Sequence, residues 1–332
     1  MNWEYWSPSD YFLESVGFFN LWGRQIYELN LWKNWLIEGE RPMKNLLTRR
    51  DFIKGTAYAA MGAAIGIPPG KTNKIKVVLI RHAKALDDKS QHNAEIIQQM
   101  LDEAVTTLLG KSGPVEAWKL LIKPMDVVGI KSNVWRYLPT PRELENAIKR
   151  RILDVGVEED NISINDRGVR KDPVFQKATA LINVRPLRTH YWSGIGGCIK
   201  NYIPFGEHWP DYHPDSCADL ALLWKLPQVR GKTRLNILSV LNPQFHGRGP
   251  HHFDSRYVWQ YKGLIVSTDP VAADAVGLKL IQAKRLEHFG EEVEFETTPK
   301  HVQVADVKHH LGVSDLNRIE LIKLGWKDGI LI

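Results

Sequence analysis

Lys76-Val77-Val78-Leu79-Ile80, followed by the stretch from His92 to Leu109, reads as a buried β-strand and then an amphipathic helix. A short β-branched block gives way to apolar residues at helical spacing. The alternation continues outward from this pair. Val127-Val128-Gly129-Ile130 predicts a second strand, Pro141 to Leu153 a helix introduced by Thr140 as N-cap with Pro141 at its first position, and Asn161-Ile162-Ser163-Ile164 a third strand. Ala178 to Val184, Leu235 to Leu241, Gly263 to Ser267 and Arg318 to Leu324 predict further strands. Asp269-Pro270 starts a helix that runs through Ala283, and Val304 to His310 predicts a last one. Strands alternating with helices imply an α/β fold over residues 75–332. Its sheet is expected to be mainly parallel with helices on both faces, as one large domain or as two lobes around a cleft.

The chain before this domain carries a different signal. Thr48-Arg49-Arg50-Asp51-Phe52-Ile53-Lys54 is followed by an uncharged, small-residue run from Gly55 to Ile67, the arrangement of a twin-arginine export signal. That run is about 13 residues, short of the about 20 that a membrane-spanning helix needs. Residues 43–70 are therefore expected to engage the twin-arginine translocation machinery and to send the folded protein to the periplasm or another extracytoplasmic space. Met43 offers a start that gives such a leader its usual length. Residues 1–42, with 11 aromatic residues and six acidic against three basic side chains, then form an upstream extension outside the native protein. The competing reading is an aromatic segment lying on a membrane or a partner.

The whole chain has a formal charge of +6. A moderately basic surface suits phosphorylated ligands, anionic lipid or nucleic acid. No basic run, Arg-rich arm or nucleic-acid module is present, so a small anionic ligand is expected and nucleic acid is not. The two cysteines, Cys198 and Cys217, exclude an all-cysteine iron–sulfur cluster within the chain and a disulfide-dense scaffold. A single bridge between them suits an oxidising compartment, although a protein exported folded does not require it.

After Val184 the sequence reads Arg185-Pro186-Leu187-Arg188-Thr189-His190-Tyr191-Trp192-Ser193-Gly194-Ile195-Gly196-Gly197-Cys198-Ile199-Lys200-Asn201. Ligands of open α/β sheets bind outside the carboxyl ends of strands, where this stretch is expected to form a loop. Gly194, Gly196 and Gly197 would bare backbone amides as a cradle for phosphate or carboxylate, the alternative being a tight turn. Lys131 and Asn133, just past another strand end, could meet the same anion or form an ordinary turn.

The stretch Asn183 to Asn201, with His190 ten residues before Lys200-Asn201, resembles the central motif of domain-of-unknown-function family 362. Val127 to Asn133, Gly247-Arg248-Gly249-Pro250 and Ser267 to Asp274 agree in order with other segments of that family. Ser132 departs from it, standing where the family usually has Pro. The resemblance implies the α/β fold and the site but no reaction. A fainter likeness is to lactate racemases that use a nickel-pincer nucleotide. It implies that Lys200 attaches a cofactor or binds an anion and that His190 transfers protons, a role its near-neutral pKa suits. The cofactor itself stays unknown, a metal or a nucleotide-like group being the candidates. Asn201 and Asp274 complete the expected binding set, with Asp269 assigned to capping its helix.

His246, His251, His252 and Asp254 place three imidazoles and a carboxylate close together, a composition suited to a transition metal although the spacing matches no standard zinc module. The alternative is a polar loop in which Arg248 clamps a carboxylate. His208, His213 and Cys217 form a looser cluster, read as part of a lid. The preferred reading is an exported α/β protein that binds an anionic small molecule and performs acid/base or redox chemistry on it. A non-catalytic periplasmic binding or assembly subunit is the rival.

Overall fold

The structure, a computed structural model, describes residues 74–247 and 253–332. The aromatic segment, the twin-arginine signal, and Arg248, Gly249, Pro250, His251 and His252 lie outside the described residues. The described residues belong to one compact unit.

Eight strands form one sheet: β1 (Ile75–Arg81), β2 (Val128–Lys131), β3 (Ile162–Asn165), β4 (Ala180–His190), β5 (Gly194–Gly196), β6 (Thr233–Gln244), β7 (Gly263–Ser267) and β8 (Ile319–Gly325). They are ordered β3-β2-β4-β6-β7-β1-β8, and β5 folds back on β4. Along this path every pairing is parallel except the two made by β7, which runs against both β6 and β1. The expected mainly parallel sheet is therefore observed, with one reversed strand inside it.

Each face of the sheet carries its own core. On one face, α1 (Ala94–Leu109) and α2 (Arg142–Val155) lay Ile97, Met100, Leu101, Leu144, Ile148 and Ile152 over Val78, Ile130, Ile182, Val184 and Ile237. The i, i+3, i+4 spacing of these helical residues makes the stripe, and Asn93, whose side chain accepts from the Ile96 amide, starts α1. On the other face, α3 (Pro270–Phe289) and α4 (Lys300–Val307) join several 3-10 turns over Leu79, Leu181, Leu187, Leu238 and Ile265. Because both faces are covered, the central strands are near-continuous apolar runs.

Several boundaries differ from expectation, α3 for instance running past Ala283 to Phe289. Pro141, not Thr140, occupies the N-cap position of α2, and Thr140 turns the other way so that its Oγ1 accepts from the Asn133 amide at 3.1 Å. α4 lies earlier than Val304 to His310. Most consequentially, β4 does not stop at Val184 but continues to His190, taking in the first six residues of the stretch expected to be a loop. Its pairing with β2 ends at Asn183, so Pro186, which lacks an amide hydrogen, sits where no β2 partner requires one.

Asp269 caps α3 as expected. Its Oδ1 accepts from the Val271 and Ala272 amides at 2.8 and 2.9 Å, and Oδ2 accepts from Val313 at 2.9 Å, which ties the segment before β8 to the helix start. Asp269→Ala is expected to lose both the cap and the tether, about 2 kcal/mol together, measured by urea unfolding of the purified protein.

Candidate functional site

From β2 the chain crosses to β3 on one side, whereas from β4 it passes to β6 on the other. The connections therefore part between β2 and β4, and a crevice opens outside the carboxyl ends of these strands. Lys131 ends β2, and Arg185, Arg188 and His190 lie in the part of β4 beyond its pairing with β2.

A chain of amides spans this crevice. Asn133 Nδ2 donates to Asn201 Oδ1 (3.4 Å), Asn201 Nδ2 to Asn183 Oδ1 (2.9 Å), Asn183 Nδ2 to Asn236 Oδ1 (3.0 Å), and Asn236 Nδ2 to the Thr268 carbonyl (3.2 Å). Arg188 feeds its start, with both terminal nitrogens donating to Asn133 Oδ1 at 3.2 and 3.3 Å. Asn201 Nδ2 also reaches the carbonyls of Lys131 and Val184. The amides link the ends of β2 and β7 through positions within β4 and β6, and all four asparagines are buried, so each hydrogen bond answers a group that water cannot reach.

Lys131 is fully buried and donates to Asp166 Oδ1 at 2.5 Å and to the Ser132 carbonyl at 2.7 Å. Burial brings its ammonium down to about 8 against the pull of Asp166. Burial works the other way on Asp166, but Lys131 and the Val134 amide outweigh it and hold the carboxyl below its usual range. This is an internally satisfied pair.

The remaining cations have no such partner. Arg185 and Arg188 are both buried, neither makes an ion pair among the described residues, and the Nε of each lacks any hydrogen-bond acceptor. Burial pushes both guanidiniums below their ordinary value, with Arg185 pressing further on Arg188. With an intrinsic pKa above about 12 they nonetheless keep their charge. Arg188 Cζ lies 4.4 Å over the Trp135 ring. Beside these cations, Thr189 Oγ1 and both side-chain polar atoms of Gln244 are also buried without partners, and Arg188 and Gln244 are paired across β4 and β6.

The glycines serve this arrangement indirectly. Gly194 to Gly196 pair with Arg188 to His190 as a hairpin instead of forming an open loop. A Cβ at Gly196 would stand 2.7 Å from Arg185 Nη2, and one at Gly197 would collide with the Asp274 carboxylate. Gly194, at φ 72°, lies against the Thr297 carbonyl, where a side chain is excluded on both grounds. Asp274 is occupied in turn: Oδ1 accepts from the Cys198 amide at 2.6 Å and Oδ2 from Ile199 at 2.9 Å. Burial pushes its carboxyl up to about 7 against those two donors. The Cys198 and Ile199 amides, just after the glycines, are thus taken by the protein's own carboxylate.

His190 is 8% exposed and walls a cleft with Thr189, Gly194, His246, Phe295 and Thr297. The Trp192 amide donates to its Nδ1 at 3.2 Å. Burial, Lys200 and both arginines hold the ring well below its usual pKa. A neutral imidazole whose Nδ1 accepts carries its proton on Nε2 and offers it as a donor. Lys200, 4% exposed, reaches only Cys217 Sγ at 3.5 Å, and burial lowers its ammonium to about 8. His301, fully buried in α4, lies against the Ser193 backbone and near Lys200 and Arg185.

Of the expected residues, Lys131, Asn133 and Asn201 come together by direct hydrogen bonds, and His190 and Lys200 are electrostatic neighbours of the same arginines. Of the metal candidates, only His246 and Asp254 lie among the described residues. His246 Nδ1 accepts from Arg285 at 2.8 Å, and Asp254 caps a short turn while pairing with Arg256. No group of three His, Cys, Asp or Glu there could hold a metal ion. Cys198 and Cys217 are both free and buried. His213 packs edge-on against Trp192 and Trp209. Sequence reasoning passed over Arg185, Arg188, Asp166, Asn236, Gln244 and His301. The signal for the first two was visible, two arginines in a stretch expected at a strand end, whereas the others gave none.

The model of a family described as a domain of unknown function (DUF362) matches residues 155–279. That span holds every residue of the cationic cluster and the amide chain except Lys131, Asn133 and His301. No curated protein and no solved structure matches the chain.

Asp274→Ala is expected to strand the Cys198 and Ile199 amides and to open a void beside Gly197, costing about 3 kcal/mol. Denaturant unfolding checks this, and a fold as stable as wild type would remove Asp274 from the site's framework.

Proposed function

We propose that this chain, which carries a DUF362 domain over residues 155–279, binds a small molecule through its carboxylate or phosphate group at the buried Arg185–Arg188 pair. One observation carries this reading: two guanidiniums are buried without an ion pair, the nearby Asp166 and Asp274 carboxylates being taken by Lys131 and by backbone amides, next to Gln244 and Thr189 whose polar atoms have no partner. Burying unpaired charge costs several kcal/mol (order of magnitude) unless something compensates it. A bound oxyanion would accept from both arginines and from the Gln244 amide, and bidentate arginine contacts suit carboxylate and phosphate. Thr189 and His190, the two residues after Arg188, line a cleft by which such a ligand would enter.

His190 and Lys200 then stand over the rest of the molecule as its polar, proton-handling groups, which favours an enzyme. His190 contributes a donor, Nε2–H, aimed at an oxygen, as a neutral histidine does when it polarises a carbonyl. The observation that favours a binding subunit instead is Asp274, which already takes the Cys198 and Ile199 amides after the glycine turn. Lys200 and the arginines also fit a phosphate-bearing cofactor attached through a lysine. Intact mass and metal analysis of protein from its own host detects one.

Thermal melts in sulfate, phosphate, pyruvate and chloride test the anion site. The three oxyanions are expected to raise the melting temperature and chloride is not. Arg185→Met should leave the ligand-free protein at least as stable as wild type, because an uncompensated charge is gone, while weakening oxyanion binding by about tenfold or more. An unchanged response to oxyanions in that variant sinks the reading.

The proposal extends to export through the signal at Thr48–Lys54. Residues 43–75 fused to a reporter should carry it out of the cytoplasm, and changing Arg49-Arg50 to Lys-Lys should retain it inside. Export unaffected by that change would withdraw the localisation.

A further inference from the structure

Lys131 and Lys200 are two buried lysines of the same crevice, and their surroundings differ. Lys131 has a carboxylate at 2.5 Å and a carbonyl at 2.7 Å. Lys200 has three potential donor hydrogens and one recorded partner, the Cys217 sulfur at 3.5 Å, a weak acceptor. No ion pair to Lys200 exists among the described residues. Cys217 is no counter-anion: its Sγ donates to the Trp192 carbonyl at 3.3 Å, so it carries its hydrogen, and burial pushes its thiol up. The charged neighbours of Lys200 are the cations Arg185 and Arg188, with His190, His213 and His301 completing its titratable surroundings. A lysine that is buried, without an ion pair and set beside other cations has its amine form brought toward neutral pH, the condition under which lysine becomes a nucleophile toward carbonyl carbon.

We propose that Lys200 condenses with the carbonyl group of an oxo acid whose carboxylate rests on Arg185 and Arg188, forming an imine. The proposal rests on the anion reading above and names the ligand's second functional group. The Nζ lone pair adds to the carbonyl carbon, and the oxygen takes up a proton as Nζ gives one up, which leaves a carbinolamine. Loss of water then yields the imine, so amine plus carbonyl gives imine plus water with no change of oxidation state. His190 Nε2–H supplies a hydrogen bond to the departing oxygen. The protonated imine is an electron sink for removing a proton or carbon dioxide from the adjacent carbon. Lys131, held by Asp166, is excluded from this role by its partners.

The experiment uses full-length protein whose intact mass shows it unmodified. It is incubated with pyruvate and then with cyanoborohydride, which reduces an imine to a stable secondary amine. One adduct per chain is expected, mapped to the Lys200 peptide, with a yield that rises as pH increases through about 8, where the amine form takes over. Acetone, which lacks the carboxylate, should leave Lys200 unlabelled. Lys200→Met should abolish the adduct while keeping the melting shift in sulfate, and if that variant does not fold, the wild-type peptide map decides. An adduct on Lys131 or only on surface lysines overturns the proposal, as does a covalent group already on Lys200. Stabilisation by sulfate and pyruvate without any adduct overturns the imine and keeps the anion site. No stabilisation and no adduct overturns both.

Discussion

The hydrogen-bond chain from Arg188 through Asn133, Asn201, Asn183 and Asn236 to the Thr268 carbonyl is the constraint on which the rest of the crevice depends. Each amide both accepts and donates, so no member can be replaced by an apolar residue without leaving its neighbours unsatisfied in a region closed to water. The chain runs at right angles to the strands and couples segments more than 130 positions apart in sequence. It fixes where β2 ends relative to β4, hence where Lys131 stands, and it holds the guanidinium of Arg188 at the mouth. Without it, two parallel strands whose connections diverge would have only their backbone ladder to keep them in register at the site.

Around that neutral scaffold the charges are arranged unevenly. Lys131 and Asp166 cancel, and Asp274 spends its oxygens on backbone amides. Arg185, Arg188 and Lys200 are left over. Apart from the two bonds that Arg188 gives to Asn133, these charges return little to the fold against the cost of burying them. Buried polar groups that conflict with stability in this way are a mark of sites shaped for a ligand. The two lysines illustrate how finely environment separates function from architecture. Both are brought down to about 8 by burial, yet only one has an anion to hold it.

The glycine-rich turn and His190 show where reading residues in isolation goes astray. Gly194, Gly196 and Gly197 are legible as glycines required by close approach. What approaches them is a guanidinium, a carboxylate and a backbone carbonyl of this same chain, contributed by β4, α3 and the segment before α4. His190 is legible as a titratable group near a cleft, and its unperturbed pKa suggests proton transfer. The Trp192 amide at its Nδ1 and the surrounding cations fix it as a neutral donor.

The sequence by itself determined the α/β class, the order of strands and helices, the Asp269 cap and the neighbourhood of the site. These depend on periodicity and capping chemistry, which act over a few residues and are written locally. It also pointed to Lys131, Asn133, His190, Lys200 and Asn201, because residues at strand ends in a parallel sheet converge on one edge. Only the tertiary structure decided that β7 runs antiparallel, that β4 extends to His190, and which charges are paired. Pairing depends on partners such as Asp166, Asn236, Gln244 and His301, which are distant in sequence and carry no local pattern, and on a desolvation that exists only once both faces of the sheet are covered.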